Sequence, residues 1–244
     1  MFSALFLLAC SNIALNPLPT PSNASNLMLI LHGSGDSASD WPQSLKTAVD
    51  TLDIYQADWD IWTHDWEELA ASKLSASGSG LEVGELIAVE LLEDPYAYSH
   101  LHLVGHSVGA FVTFAIARTL SEAEIDTTIH TTFLDPFTGN GLFDWAYGER
   151  EFGRHANFAE SFYNTDDSVP STNGTLKFAH NFDITALKNP NYPEDKTHWW
   201  PVDYYIESVN EPDLPGFGHS SDRQEGLDEL RSRYEPGGLT VLTE

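Results

Sequence analysis

The stretch that most constrains the fold is "LMLILHGSGDS", which opens at Leu27 with five apolar residues in succession and then enters a glycine-rich turn. A strand solvated on one face alternates apolar and polar side chains, so an unbroken run of this kind belongs to a strand covered on both faces. Strands of that type sit in parallel sheets flanked by helices. "LHLVGHS", "IHTTFLDPF" and "NFAESFYNTDDSVP" repeat the pattern, "LKFAHNFDI" suggests another strand, and "DIYQADW" one more, followed by "SASGSG" as a loop. Between them lie helical stripes. Val83, Ile87 and Leu91 recur at i+4 steps in a segment that stops at Asp94-Pro95, and Val108, Val112 and Ile116 form a second stripe. Strands alternating with helices predict an α/β fold with a mostly parallel sheet.

A chain of 244 residues can bury one such core without disulfides or metals. No internal repeat or interior linker marks a second unit, so the expected organisation is a leader and linker over 1–26 and one domain over 27–244. The charge is lopsided: 11 Lys and Arg face 37 Asp and Glu, a formal net charge of −26. Such a surface repels phosphate backbones and anionic headgroups, which argues against nucleic-acid and polybasic membrane binding. No acidic run is spaced like a calcium loop. The single cysteine, Cys10, excludes an intramolecular disulfide framework and a cysteine-based metal site. It ends the apolar run "MFSALFLLA" and precedes the Pro, Ser and Asn-rich "NIALNPLPTPSNASN". That order looks like a bacterial lipoprotein signal, in which Cys10 is lipidated and holds the chain to a membrane; an ordinary secretory signal or a frayed apolar N-terminus is the alternative. The expected location is outside the cytoplasm, whether periplasmic, on the outer membrane or secreted. The run is too short for a transmembrane helix.

"GHSVG", Gly105 to Gly109, fits Gly-x-Ser-x-Gly between an apolar strand and an amphipathic helix. A serine on so sharp a turn needs neighbours without side chains if the helix is to fold back against the sheet. A serine hydroxyl is a weak nucleophile until a base takes its proton, so this reading of Ser107 requires a histidine and an acid that orients it.

The strings "LILHGSGDS", "LVGHSVGAF", "FLDPF" and "THWWPVDYYIESV" together resemble the α/β-hydrolase fold, and within it the lipases and esterases, with the motif order of the pancreatic-type lipases. The likeness runs from Leu27 to Val209. The disulfides and lipid-binding second domain of those lipases are missing, and no long lid is evident. The resemblance implies Ser107 as nucleophile and His198, just ahead of a helix bearing Val202, Tyr205, Ile206 and Val209, as base. For the acid it offers two positions. Asp135, in a Leu-Asp-Pro string one strand after the nucleophile, is favoured, while Asp166 and Asp167 stand where most α/β-hydrolases carry theirs. The backbone N–H groups of Ser34 and Val108 would form the oxyanion hole. Trp199, Trp200 and Phe137 could line an acyl or alcohol pocket. His180 reads as a strand residue with a structural hydrogen bond, and His219 lies in a polar tail. The expected activity is hydrolysis of a small-molecule or lipid carboxylic ester through an acyl-enzyme, without cofactor or metal. Thioesterases, amidases and peptidases use the same machinery, and a non-catalytic surface binding protein could keep the same fold.

Overall fold

The computed structural model describes residues 15–72, 75–93, 96–211, 214–217 and 226–243; the leader with Cys10, and His219, lie outside the described residues. Among the described residues seven strands form one sheet: β1 (Asn26–Leu31), β2 (Trp59–His64), β3 (His100–His106), β4 (Thr128–Leu134), β5 (Phe158–Tyr163), β6 (His180–Asp183) and β7 (Leu239–Val241). Their order is β2-β1-β3-β4-β5-β6-β7, and every neighbouring pair is parallel. Among the described residues the helices are α1 (Trp41–Val49), α2 (Asp53–Asp58), α3 (Glu67–Ala70), α4 (Ala76–Leu91), α5 (Gly109–Glu122), α6 (Tyr147–Glu151), α7 (Trp200–Glu207) and α8 (Gly226–Arg233).

The apolar run of β1 is divided between the two faces, as its unbroken pattern requires. Leu27, Leu29 and Leu31 pack with Val83 and Ile87 of α4 and with Val112 and Ile116 of α5. Met28 and Ile30 pack on the other side with Trp41 and Leu45 of α1 and with Val202 and Tyr205 of α7. Each such side chain contributes about 1.5–3 kcal/mol when fully buried. Both layers are therefore helical, and the α/β architecture with a parallel sheet is established.

Local readings of the sequence fail in two places. "DIYQADW" forms α2 over Asp53–Asp58, and the neighbouring strand starts only at Trp59. "SASGSG" is no loop, because α4 begins at Ala76 and runs through Gly80 and Gly84. A Cβ on Gly84 would lie 2.5 Å from the Val112 carbonyl oxygen and 2.6 Å from the Ala115 Cβ, so the glycine lets α4 pack tightly on α5. Tertiary packing outweighs the roughly 1 kcal/mol that glycine costs a helix. The tail after Asn210 supplies α8 and β7, and β7 extends the sheet past β6. On the N-terminal side, Leu18 of the expected linker is buried, and its N–H donates to Glu90 Oε1 at 2.9 Å. Among the described residues no helix is long and apolar enough to cross a membrane.

The connections place the site. Between β1 and β2 the chain passes over the α1 face, whereas between β2 and β3 it passes over the α4 face. Strand order thus reverses between β1 and β3, leaving a crevice outside their C-terminal ends. Charge bears on the stability of this architecture. At −26, folding concentrates carboxylates whose repulsion reaches about 10 Å at 0.1 M salt and about 3 Å at 1 M. The melting temperature should rise as NaCl is raised from low to near-molar concentration; a flat or falling series would show that the carboxylates are too dispersed for net charge to matter.

Candidate active site

Where β3 ends, Ser107 adopts φ +53°, a left-handed conformation that non-glycine residues seldom take. Backbone bonds on both sides hold it there. Its N–H donates to the Leu134 carbonyl and its own carbonyl accepts the Phe137 N–H, each at 3.1 Å. The flanking glycines are needed for contact. A Cβ on Gly109 would lie 2.5 Å from the Leu31 carbonyl oxygen, and one on Gly105 would strike Thr113 Oγ1 and the backbone of Gly109. Helix α5 can therefore start directly against β1. Ser107 is 9% exposed, enclosed by the turn but still open to a small reactant.

The turn after β1 closes over the serine. A Cβ on Gly33 would sit 2.9 Å from the Ser107 Cβ, and the Gly33 N–H donates to Asp36 Oδ2 at 3.3 Å. Next to it, the Ser34 N–H takes part in no hydrogen bond among the described residues, and the same holds for the Val108 N–H at the start of α5. Two free donors thus stand on the two segments that meet at Ser107, and donors so arranged can stabilise an anionic oxygen.

His198 lies on a 3₁₀ turn, Glu194–Trp199, that leads straight into α7. Its Nδ1 is 3.0 Å from Asp135 Oδ2 and 2.8 Å from Asp167 Oδ2. A carboxylate only accepts, so Nδ1 carries a proton. Asp135 directly follows β4 at φ +42° and is fully buried. Its Oδ1 accepts the Asn164 N–H at 3.0 Å, while the Asn164 side-chain amide donates to the Thr197 carbonyl at 3.0 Å and so straps down the histidine turn. Asp167 accepts the Val169 N–H on Oδ1 at 3.1 Å and the Thr172 hydroxyl on Oδ2 at 2.6 Å. Asp166 points away and pairs with Lys188 at 3.0 Å. Both acid positions considered for the sequence are thus occupied at once, the second by Asp167.

The electrostatics follow from this crowding. Burial raises Asp135 to about 7, against the pull of His198. Burial also works on Asp167, but the hydrogen bonds from His198 and Thr172 outweigh it and hold that carboxyl at about 2. For His198, burial acts downward, yet the bonds and charges of Asp135 and Asp167 lift it to about 9.

Ser107 and His198 are brought to one corner through their neighbours. His106 Nε2–H donates to the His198 carbonyl at 3.0 Å, and the two rings lie 4.7 Å apart. Burial pushes His106 below the ordinary imidazole range against the pull of Asp36, so its ring is neutral. Between the side chains of Ser107 and His198 there is no hydrogen bond among the described residues. Trp200 belongs to the core, its indole N–H bonded to the Ile184 carbonyl at 3.0 Å, whereas the Trp199 ring stays 5.0 Å from His106. His180, as expected, is a strand residue with structural bonds, to the Glu235 carbonyl and Thr240 Oγ1. Sequence reasoning passed over His106, Asn164 and Thr172, whose only signal is position next to the serine or around the Asp pair. It also passed over the apolar tip of the loop that starts at Phe137, where Phe143 is 95% exposed beside exposed Leu142 and Trp145.

Among the described residues, two groups each bring three potential metal ligands within 4.8 Å of one another: His102, His130 and Glu160, and Asp135, Asp167 and His198. In the first, the imidazoles stack with planes 5° apart, parallel rather than converging on one point. His102 Nε2 meets Thr132 Oγ1 at 2.9 Å and His130 Nε2 meets Glu160 Oε1 at 3.2 Å. In the second, the three groups are joined by the Nδ1 hydrogen bonds. A hollow of about 320 Å³ lined by Leu91, Tyr96 and Leu120 lies at the opposite, N-terminal ends of β3 and β4.

No known protein family matches this chain, and no curated protein does. Among solved structures it is similar to a candidate cell surface hydrolase from Lactobacillus plantarum WCFS1, at 11% identity over 88% of this chain and 99% of that one, with a TM-score of 0.49. It is similar to a poly(3-hydroxybutyrate) depolymerase from Bordetella parapertussis at 10% identity, covering 91% and 75% of the two chains, with a TM-score of 0.40. An esterase of Pyrococcus furiosus is similar at 16% identity, with coverage of 86% and 84% and a TM-score of 0.39.

Proposed function

We propose that this chain is a serine hydrolase of the α/β-hydrolase type that cleaves uncharged carboxylic esters. The observation that carries this reading is the juxtaposition at the crevice of a left-handed serine, two free backbone donors and an imidazole anchored by carboxylates on Nδ1. Ser107 Oγ would attack the ester carbonyl carbon while its proton passes to His198 Nε2. The carbonyl π electrons move onto oxygen, which the Ser34 and Val108 N–H groups receive. Collapse expels the alcohol, which takes the proton from Nε2, and leaves the acyl group on Ser107. Water then repeats the sequence, with His198 as base, and releases the carboxylic acid.

Two features favour an uncharged, apolar substrate. The net charge of −26 disfavours the approach of anions, and Leu142, Phe143 and Trp145 offer exposed apolar surface on the loop whose first amide is bonded to Ser107. The leader ending at Cys10 supports placement outside the cytoplasm, with lipidation of Cys10 as the anchor. The decisive experiment is labelling with a fluorophosphonate, which phosphonylates an activated serine hydroxyl and leaves ordinary serines untouched. One label per chain at Ser107, absent after Ser107→Ala, is expected; no label, or a label elsewhere, sinks the reading.

A further inference from the structure

Two carboxylates on one imidazole nitrogen are more than orientation requires. A single hydrogen bond to Nδ1 fixes the tautomer and turns Nε2 toward the serine. Here Asp135 Oδ2 and Asp167 Oδ2 both lie within 3.0 Å of Nδ1, on loops that follow two different strands, β4 and β5. Each has its own support. Asp135 is held by the Asn164 N–H, and Asp167 by the Val169 N–H and the Thr172 hydroxyl. Neither is a solvated charge that happens to be nearby, since both side chains are fully buried. The other titratable groups against this cluster are His106, whose ring at the end of β3 lies 4.7 Å from that of His198 and tilted to it by 43°, and Asp36 behind it.

We propose that Asp135 and Asp167 act together as the acid of this site, two positioning carboxylates that share His198 Nδ1 and together stabilise the imidazolium formed when Ser107 gives up its proton. This deepens the serine-hydrolase reading and rests on it. Two negative groups around one N–H repel each other unless a positive charge forms between them. When Ser107 transfers its proton, the imidazolium supplies that charge, and both carboxylates stabilise it. The same attraction favours a proton on Nε2 in the resting site, so the free base gains population as the pH rises.

The test is a set of three variants, Asp135→Asn, Asp167→Asn and the double substitution, assayed across pH with a short p-nitrophenyl ester. Each single variant keeps one carboxylate on Nδ1. It should lose no more than about tenfold at the alkaline plateau, whereas the double variant should lose roughly 10⁴. The acid limb of kcat/KM should move to lower pH in both single variants, by roughly 1–3 pH units, because one of the two charges that hold the proton on His198 is gone. A residue that only supports the fold would leave that limb in place. One single variant carrying the whole 10⁴ loss, or an acid limb unmoved in either, overturns the proposal. Should the buried Asp135→Asn variant not fold, Asp167→Asn decides alone: a loss near 10⁴ or an unmoved limb overturns the shared acid, and a small loss with a lowered limb supports it. Failure of this kind is separable from failure of the serine reading, which fluorophosphonate labelling of Ser107 reports independently.

Discussion

Ester hydrolysis should fall by about 10⁶ when Ser107 is replaced by alanine, the scale of loss seen when a nucleophile is removed from a Ser-His-acid site, while thermal unfolding stays nearly unchanged. The two halves of this expectation have separate causes. Chemistry depends on Oγ, the one atom removed. The fold depends on the backbone of residue 107, held at φ +53° by its bonds to Leu134 and Phe137. Alanine keeps both backbone bonds and the Cβ that meets the turn at Gly33, and it bears the same left-handed strain as serine. Parallel measurement of kcat/KM on a short uncharged ester and of the melting temperature checks both halves. Activity within tenfold of the parent would remove Ser107 from the reaction, and a large fall in melting temperature would mean that the hydroxyl has a structural task.

What the sequence makes legible follows from how much of each element's environment is local. β1, β3 and β4 are buried on both faces over nearly their whole length, so their composition alone marks them. Gly105 and Gly109 are legible because a strand-to-helix turn that close to another strand excludes a Cβ. α4 is legible only from Val83 onward, through its Val83, Ile87 and Leu91 stripe; its Ser and Gly-rich first turns are not, since they depend on α5 lying against Gly80 and Gly84. β7 is too short and too exposed to carry a hydrophobic period. Asp167 marks the same limit within the site. In "NTDDSVP" its string is that of a solvated turn, and nothing in it separates Asp167 from Asp166. The difference arises when the loop folds, with Thr172 turning back onto Asp167 and Lys188 drawing Asp166 outward. Asp135 was legible through Leu-Asp-Pro, but the sharing of one nitrogen by two acids from separate strands depends on the register of β4 against β5.

Replacing His198 by alanine should cost nearly as much as losing the serine, and combining it with Ser107→Ala should cost little more than either alone, because groups acting on one proton transfer are not additive. The pH dependence identifies the base. Nε2 can accept the Ser107 proton only when it is unprotonated, and Asp135 and Asp167 raise His198 to about 9. In the parent, kcat/KM should therefore climb as pH rises from about 6 toward about 9, since the free base gains population over that window. The residual activity of His198→Ala should lack this climb. His106 is the informative competitor, as its ring lies 4.7 Å from that of His198 next to the serine. Its Nε2–H is engaged by the His198 carbonyl, so it presents no free lone pair there. A residual rate that kept the parent's slope would assign the proton transfer to another group, with His106 the first to substitute. A residual rate without that slope ties the climb to His198 and to the carboxylates behind it.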